Sequence, residues 1–143
     1  MPSILRSLLI ALALAAPLAT PALAEDAAAT AAATTPAKAQ VLSFTDEAAL
    51  DELAAKGTTV VFFYAAWCPN CRATVTELNA RWNEVRPGLT LVIADYDKEQ
   101  ALKAKYGITY QDTFVLLDNK GNGVKVWNSG GVNGLNANTQ SQG

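Results

Sequence analysis

The sequence predicts an α/β fold, a central sheet with helices packed around it. Two runs, "TTVVFFYAAW" and "LTLVIADYD", are continuous β-branched and aromatic stretches, the pattern of strands buried on both faces. Segments with helical apolar spacing separate and follow them. A third stretch, "TFVLLDNKGNGVKVW", sets a turn rich in Asn and Gly between two apolar runs, which predicts an antiparallel hairpin. Helices alternating with buried strands form a sandwich about one sheet. The chain has 143 residues, room for one domain of roughly 100–150 residues. Half of it is hydrophobic, so a packed core is feasible, although Ala near the start inflates that figure.

Residues 1–24 read as an export signal. Arg6 lies in a short n-region, an apolar run extends from Leu8 to Leu18, and Ala22-Leu23-Ala24 offers small residues at a cleavage site. The run is short for a membrane span, so an uncleaved anchor is the lesser alternative. The residue directly after the cleavage site is Glu25, not a cysteine, which argues against a lipid anchor. The expectation is an exported protein, periplasmic or otherwise extracytoplasmic, where a disulfide can persist. Residues 25–40, "EDAAATAAATTPAKAQ", hold no large apolar side chain and read as a disordered Ala/Thr-rich linker.

The folded domain is expected over 41–143. "VLSF" opens it as a short strand. Ser43 with Asp46 has capping-box spacing, Ala49, Leu50, Leu53 and Ala54 make one helix face, and Gly57 is a stop. The first long apolar run follows. Val75, Leu78, Trp82 and Val85 then recur at helical spacing up to Pro87-Gly88, ahead of the second run. Asp97 with Gln100 resembles a helix start, and Ala101, Leu102 and Tyr106 share a face that ends at Gly107. After the hairpin, the tail beyond about residue 130 has only Val132 and Leu135 as apolar anchors, so it is expected to be weakly ordered, with at most one or two helical turns.

The net charge is −2 with both signs mixed, so the basic stripe of a nucleic-acid binder is missing and no nucleic-acid partner is expected. The chemistry lies in "YAAWCPNCRA", which holds both cysteines, Cys68 and Cys71. A structural zinc site needs four ligands, and two cysteines without any histidine supply it only if two chains share the metal. A purely structural bridge across so short a loop removes little denatured-state entropy and adds little stability. Reactivity explains the pair better. It sits where a buried strand gives way to a helix, so unpaired N–H groups and the helix dipole stabilise a thiolate at Cys68. Pro69 suits the first helical turn, and Cys71 lies one turn inside. A C-x-x-C beside a βαβ pattern is a redox signature.

"VVFFYAAWCPNCRATVTELN" resembles the active-site segment of the thioredoxin family, which usually carries Trp-Cys-Gly-Pro-Cys after an apolar strand. "KYGITYQDTFVLLDNKG" is similar to that family's later Gly-Ile-x-x-x-Pro-Thr segment and terminal hairpin. The likeness runs from about Val41 to Trp127. It implies a thioredoxin-like three-layer sandwich with a central mixed sheet and a terminal β-hairpin. It also implies that Cys68 attacks and Cys71 resolves, with Trp67 packing beside the disulfide. Pro69 and Asn70 sit between the cysteines, and Tyr64 with the stretch Tyr110, Gln111, Asp112 and Thr113 flanks the site.

Three positions depart from the family. Its buried acid falls on Phe62 and the lysine partner on Ile93, so a charged pair has become two apolar residues. Glu77 is the candidate substitute for that acid, although its helical position also suits plain solvation. A helix-kinking proline falls on Thr76, which predicts a straighter helix. The cis-proline opposite the disulfide falls on Asp112. A non-proline cis bond costs roughly 2.5–4 kcal/mol, so a trans bond is expected there. An ionised Asp112 beside Cys68 would oppose its thiolate; the plainer alternative is a turn cap.

The expected function is thiol:disulfide exchange without a cofactor or bound metal, by a monomer acting on exported proteins that carry disulfides or dithiols. Reduction is favoured over oxidation. The resemblance implies a membrane thiol carrier as electron donor. Two alternatives stay open: a non-catalytic binding or chaperone-like module, and a metal or cluster site shared between two chains.

Overall fold

The computed structural model describes residues 37–140. The expected signal at 1–24 and the linker up to residue 36 lie outside them. Strand β2 (Thr58–Tyr64), from the first long run, is the middle strand, and its composition explains its place. Val60 and Phe62 point to one face, Val61 and Phe63 to the other, and all four are fully buried. On one side β2 pairs in parallel with β3 (Leu89–Asp95), itself parallel to β1 (Gln40–Ser43). On the other it pairs antiparallel with β4 (Thr113–Leu117), which pairs antiparallel with β5 (Gly123–Asn128). The mixed sheet has the order β1-β3-β2-β4-β5.

Each face has its own core. Helices α1 (Glu47–Lys56) and α3 (Gln100–Tyr106) cover Val61, Phe63, Val92 and Val115 with Leu50, Ala54 and Leu102. Helices α2 (Pro69–Arg81) and α4 (Gly131–Asn138) cover Val60, Phe62, Leu91 and Phe114 with Leu78, Val132 and Leu135. This is the expected three-layer, thioredoxin-like sandwich. On the α2/α4 face an aromatic ladder crosses three strands. Phe62 stacks on Phe114 at 4.4 Å between ring centres, and Phe114 stacks on Trp127 at 5.4 Å. Each such pair adds about 0.5–1.5 kcal/mol beyond burial. Phe62 and Ile93, at the family's charged positions, are register partners across β2 and β3. A charge pair there would pay a desolvation penalty of several kcal/mol per ion before its attraction counts, whereas the stacked ring gains on both terms.

Some local expectations hold and others change. Ser43 ends β1 and does not open α1; Asp46 alone caps it, accepting the Ala49 N–H at 2.9 Å. Gly57 ends α1 in extended geometry, whereas Gly107 ends α3 in the left-handed region at φ 66°. The N-cap position of α3 is Glu99, with the Asp95 carboxylate accepting from the Asp97 and Lys98 amides just ahead of it. Helix α2 runs unbroken past Thr76, whose hydroxyl donates to the Arg72 carbonyl, and closes in a 3₁₀ turn at Trp82–Glu84. The ordered domain also starts before Val41. The Ala37 and Ala39 carbonyls accept from the Gly88 amide and the Trp82 indole.

The tail beyond residue 130 is the main correction. It forms α4, with Val132 and Leu135 completely buried. Two apolar anchors suffice because polar contacts fix the rest. Arg81 joins Glu77 at 2.9 Å, Glu84 at 2.7 Å and Asn133 at 3.2 Å. Asn136 accepts the Arg86 amide and donates to the Glu84 carbonyl, while the Arg86 guanidinium donates to the Thr139 carbonyl. Among the described residues no helix is long and apolar enough to cross a membrane.

Candidate active site

The two cysteines sit where β2 hands over to α2, at the carboxyl end of the central strand. Cys68 is the N-cap of α2 and Pro69 opens its first turn. At Pro69 the missing N–H costs nothing, and the free amides of the turn are aimed at the Cys68 sulfur. The Cys71 amide donates to Cys68 Sγ at 3.3 Å, and the Ala65 amide to Cys71 Sγ at 3.5 Å. Both cysteines are thiols, with Cys68 2% exposed and Cys71 fully buried. Tyr64 and Tyr96 pack against them.

This arrangement pushes the two thiols apart in acidity. Burial raises Cys68, but donors from the Cys71 amide and thiol, the Asn70 amide and the Gln111 side chain outweigh it, so the thiol ends below its ordinary value. Burial raises Cys71 too. The Ala65 amide lowers it in part, and the neighbouring Cys68 and the charge of Asp112 then add to the rise, leaving it at about 11. This split suits Cys68 to a thiolate's role, while Cys71 stays protonated at neutral pH.

Asp112 corrects an expectation. Its charge is felt at Cys71, and Cys68 is held low all the same. Among the described residues no peptide bond is cis. Asp112 instead adopts φ 57°, a left-handed conformation that short polar side chains tolerate best. Its amide donates to the Phe63 carbonyl at 3.0 Å, and its carbonyl accepts from the Ser129 amide. The side chain is 3% exposed; Ser129 Oγ donates to Oδ2 at 2.8 Å, while Oδ1 is buried without a partner. An orphaned buried acceptor costs about 1–3 kcal/mol, more when charged. A turn cap would use Oδ2 alone and does not account for the orphan.

The other site residues named from the sequence lie at the β2–α2 junction or in the loop before β4 and its start. Trp67 donates its indole N–H to Asp97 at 2.8 Å and is 57% exposed, a rim residue. Tyr110, 70% exposed, lies in the loop before β4. Thr113 is buried, bonded to the Tyr110 carbonyl and the Asn128 amide. Pro69 and Asn70 are exposed between the cysteines. Glu77 stays partly solvated, pairing with Arg81 and accepting the Val132 amide at the start of α4. The sequence reading missed Tyr96, Asp97 and Ser129. Tyr96 ties the site to the loop before β4 through the Thr109 carbonyl. The place of Tyr96 and Asp97 just past β3 is itself a signal, since sites gather at the carboxyl ends of such strands. No three metal-binding side chains come together among the described residues.

The family model described as Thioredoxin matches residues 40–139. The chain belongs to the thioredoxin family. It is 32% identical over 66 residues to Thioredoxin 2 of Plasmodium falciparum, covering 46% of this chain and 42% of that protein. It is 30% identical over 84 residues to Thioredoxin-2 of Pyricularia oryzae, covering 58% and 48%. The chain thus spans less than half the length of these curated relatives. A mutant thioredoxin from Halobacterium salinarum superposes with a TM-score of 0.61 at 20% identity, covering 76% of this chain and 95% of its own. That likeness shows the fold alone. Family membership supports thiol:disulfide oxidoreductase chemistry in general terms, and the Cys68–Cys71 pair lies within the matched segment.

Proposed function

We propose that this chain is an exported thiol:disulfide oxidoreductase that reduces disulfides in partner proteins. One observation carries the reading: two sulfurs share one helix start, Cys68 Sγ accepting the Cys71 amide and Cys71 Sγ buried against the Ala65 amide. Cys68 attacks a substrate disulfide as a thiolate, forming a mixed disulfide and releasing the first substrate thiol. Cys71 then attacks Cys68 Sγ, releasing the second substrate thiol and leaving the Cys68–Cys71 disulfide. Partners dock across the rim between Trp67 and Tyr110. They are exported proteins with accessible disulfides, and a membrane thiol carrier returns the electrons.

Equilibration of the full chain with dithiol redox buffers tests this. A reversible two-electron couple near ~−270 mV supports the reductant, and one near ~−120 mV reverses the direction to disulfide donation. The absence of a couple would leave a binding module. Export is checked separately: the protein recovered outside the cytoplasm should begin at Glu25.

A further inference from the structure

One step of this chemistry needs a group not yet assigned. Cys71 must give up a proton to attack, yet its surroundings hold that proton in place. The position where the family keeps a buried acid is filled by Phe62, stacked on Phe114. Glu77 is committed to Arg81 and the start of α4. Of the other polar groups there, Cys68 is the nucleophile, and Tyr64 and Tyr96 pack on the cysteines through their rings.

Asp112 remains. It sits in the loop immediately before β4, next to Gln111, whose side chain donates to Cys68. Its amide is pinned to the Phe63 carbonyl at 3.0 Å, two residues before Ala65, whose own amide holds Cys71 Sγ. Ser129 occupies one carboxylate oxygen and leaves Oδ1 buried and unpartnered. We propose that Asp112 Oδ1 is the internal proton acceptor for Cys71 during resolution of the mixed disulfide. This rests on the oxidoreductase reading. In the step, the Cys71 S–H bond breaks and its proton passes to Oδ1. The sulfur's electron pair forms the bond to Cys68 Sγ. The bond from Cys68 to the substrate sulfur breaks, and that sulfur leaves as a thiolate, which takes the proton back from Asp112. The cysteine pair loses two electrons and the substrate gains them. Ser129 is a positioning residue that aims the carboxylate.

The reduced full chain, reacted with the chromogenic disulfide of thionitrobenzoate, separates the two steps. The first chromophore released reports attack by Cys68 and the second reports resolution by Cys71. Asp112→Asn keeps the size, an acceptor for Ser129 and tolerance of φ 57°. It should leave the first phase unchanged and slow the second about 100-fold at neutral pH, as loss of a general base does. The deficit should shrink as pH rises and Cys71 ionises unaided. Ser129→Ala should slow the second phase less. If the Asp112 charge merely opposes the Cys71 thiolate, Asp112→Asn will accelerate the second phase, and the proposal falls. It falls equally if neither variant changes that phase. A wild-type chain that never releases the second chromophore overturns the oxidoreductase reading instead.

Discussion

The middle of the sheet and the loop ahead of β4 have exchanged polarity relative to the family pattern. Where that pattern buries an acid and a lysine, this chain has Phe62 and Ile93, register partners beneath the cysteines. Where the pattern has an apolar proline, it has Asp112, buried and half-satisfied. The comparison teaches that a site can keep a carboxylate beside its inner sulfur while moving it from a strand to a loop. The strand gains an aromatic ladder. The loop takes on backbone strain at Asp112 and at Ser129, which also has a positive φ, 59°.

The largest expected effect comes from returning a carboxylate to the strand. Phe62→Asp buries an unpaired charge against Phe114 and Ile93 and should lower unfolding free energy by about 3–5 kcal/mol in a urea titration. Adding Ile93→Lys should recover part of that loss. Tolerance of Phe62→Asp alone, within about 1 kcal/mol, would mean the strand is not committed to apolar packing. Ser129→Ala acts on the loop instead. It removes the hydrogen bond to Oδ2 and should cost about 1–2 kcal/mol by the same titration, with fold and first-phase reactivity retained.

The smallest effect concerns Cys68. Gln111→Leu removes one of the donors that hold its thiolate, so thiolate absorbance against pH should titrate up to about one unit higher, or 1.4 kcal/mol. A less stable thiolate destabilises the reduced state at neutral pH, so the couple should move roughly 30 mV more negative. An unmoved titration would assign the low value to the α2 amides alone.

The parts of this molecule that were legible in its sequence are those with local or periodic causes. The two long apolar runs announce strands buried on both faces, and the spacing of Cys68, Pro69 and Cys71 announces a helix opening on a sulfur. Asp112 was found by its place after Gly107-Ile108, but its target was not. Whether a carboxylate acts on Cys68 or Cys71 depends on a φ of 57° and on Ser129, 17 residues away. Helix α4 was underrated for the same reason. Its composition is poor in apolar residues, and the groups that hold it, Glu77, Arg81 and Arg86, lie about fifty residues earlier in the chain. Contacts across such separations leave no periodic trace.

That dependence of α4 on earlier residues has a consequence for the order of synthesis. A chain emerging amino end first can complete the α1/α3 face once Leu117 is available, because every member of that core precedes it. The opposite face, with Phe62, Leu91 and Phe114, has no cover from α4 until Val132 and Leu135 have left the ribosome or cleared a translocation channel. Ribosome-stalled chains ending before Gly131 should therefore resist protease on one side of the sheet and yield on the other. The face under α4 is shielded from chaperones only once Gly131–Asn138 have followed Leu117 out, a delay of roughly one to four seconds at about 5–20 residues per second.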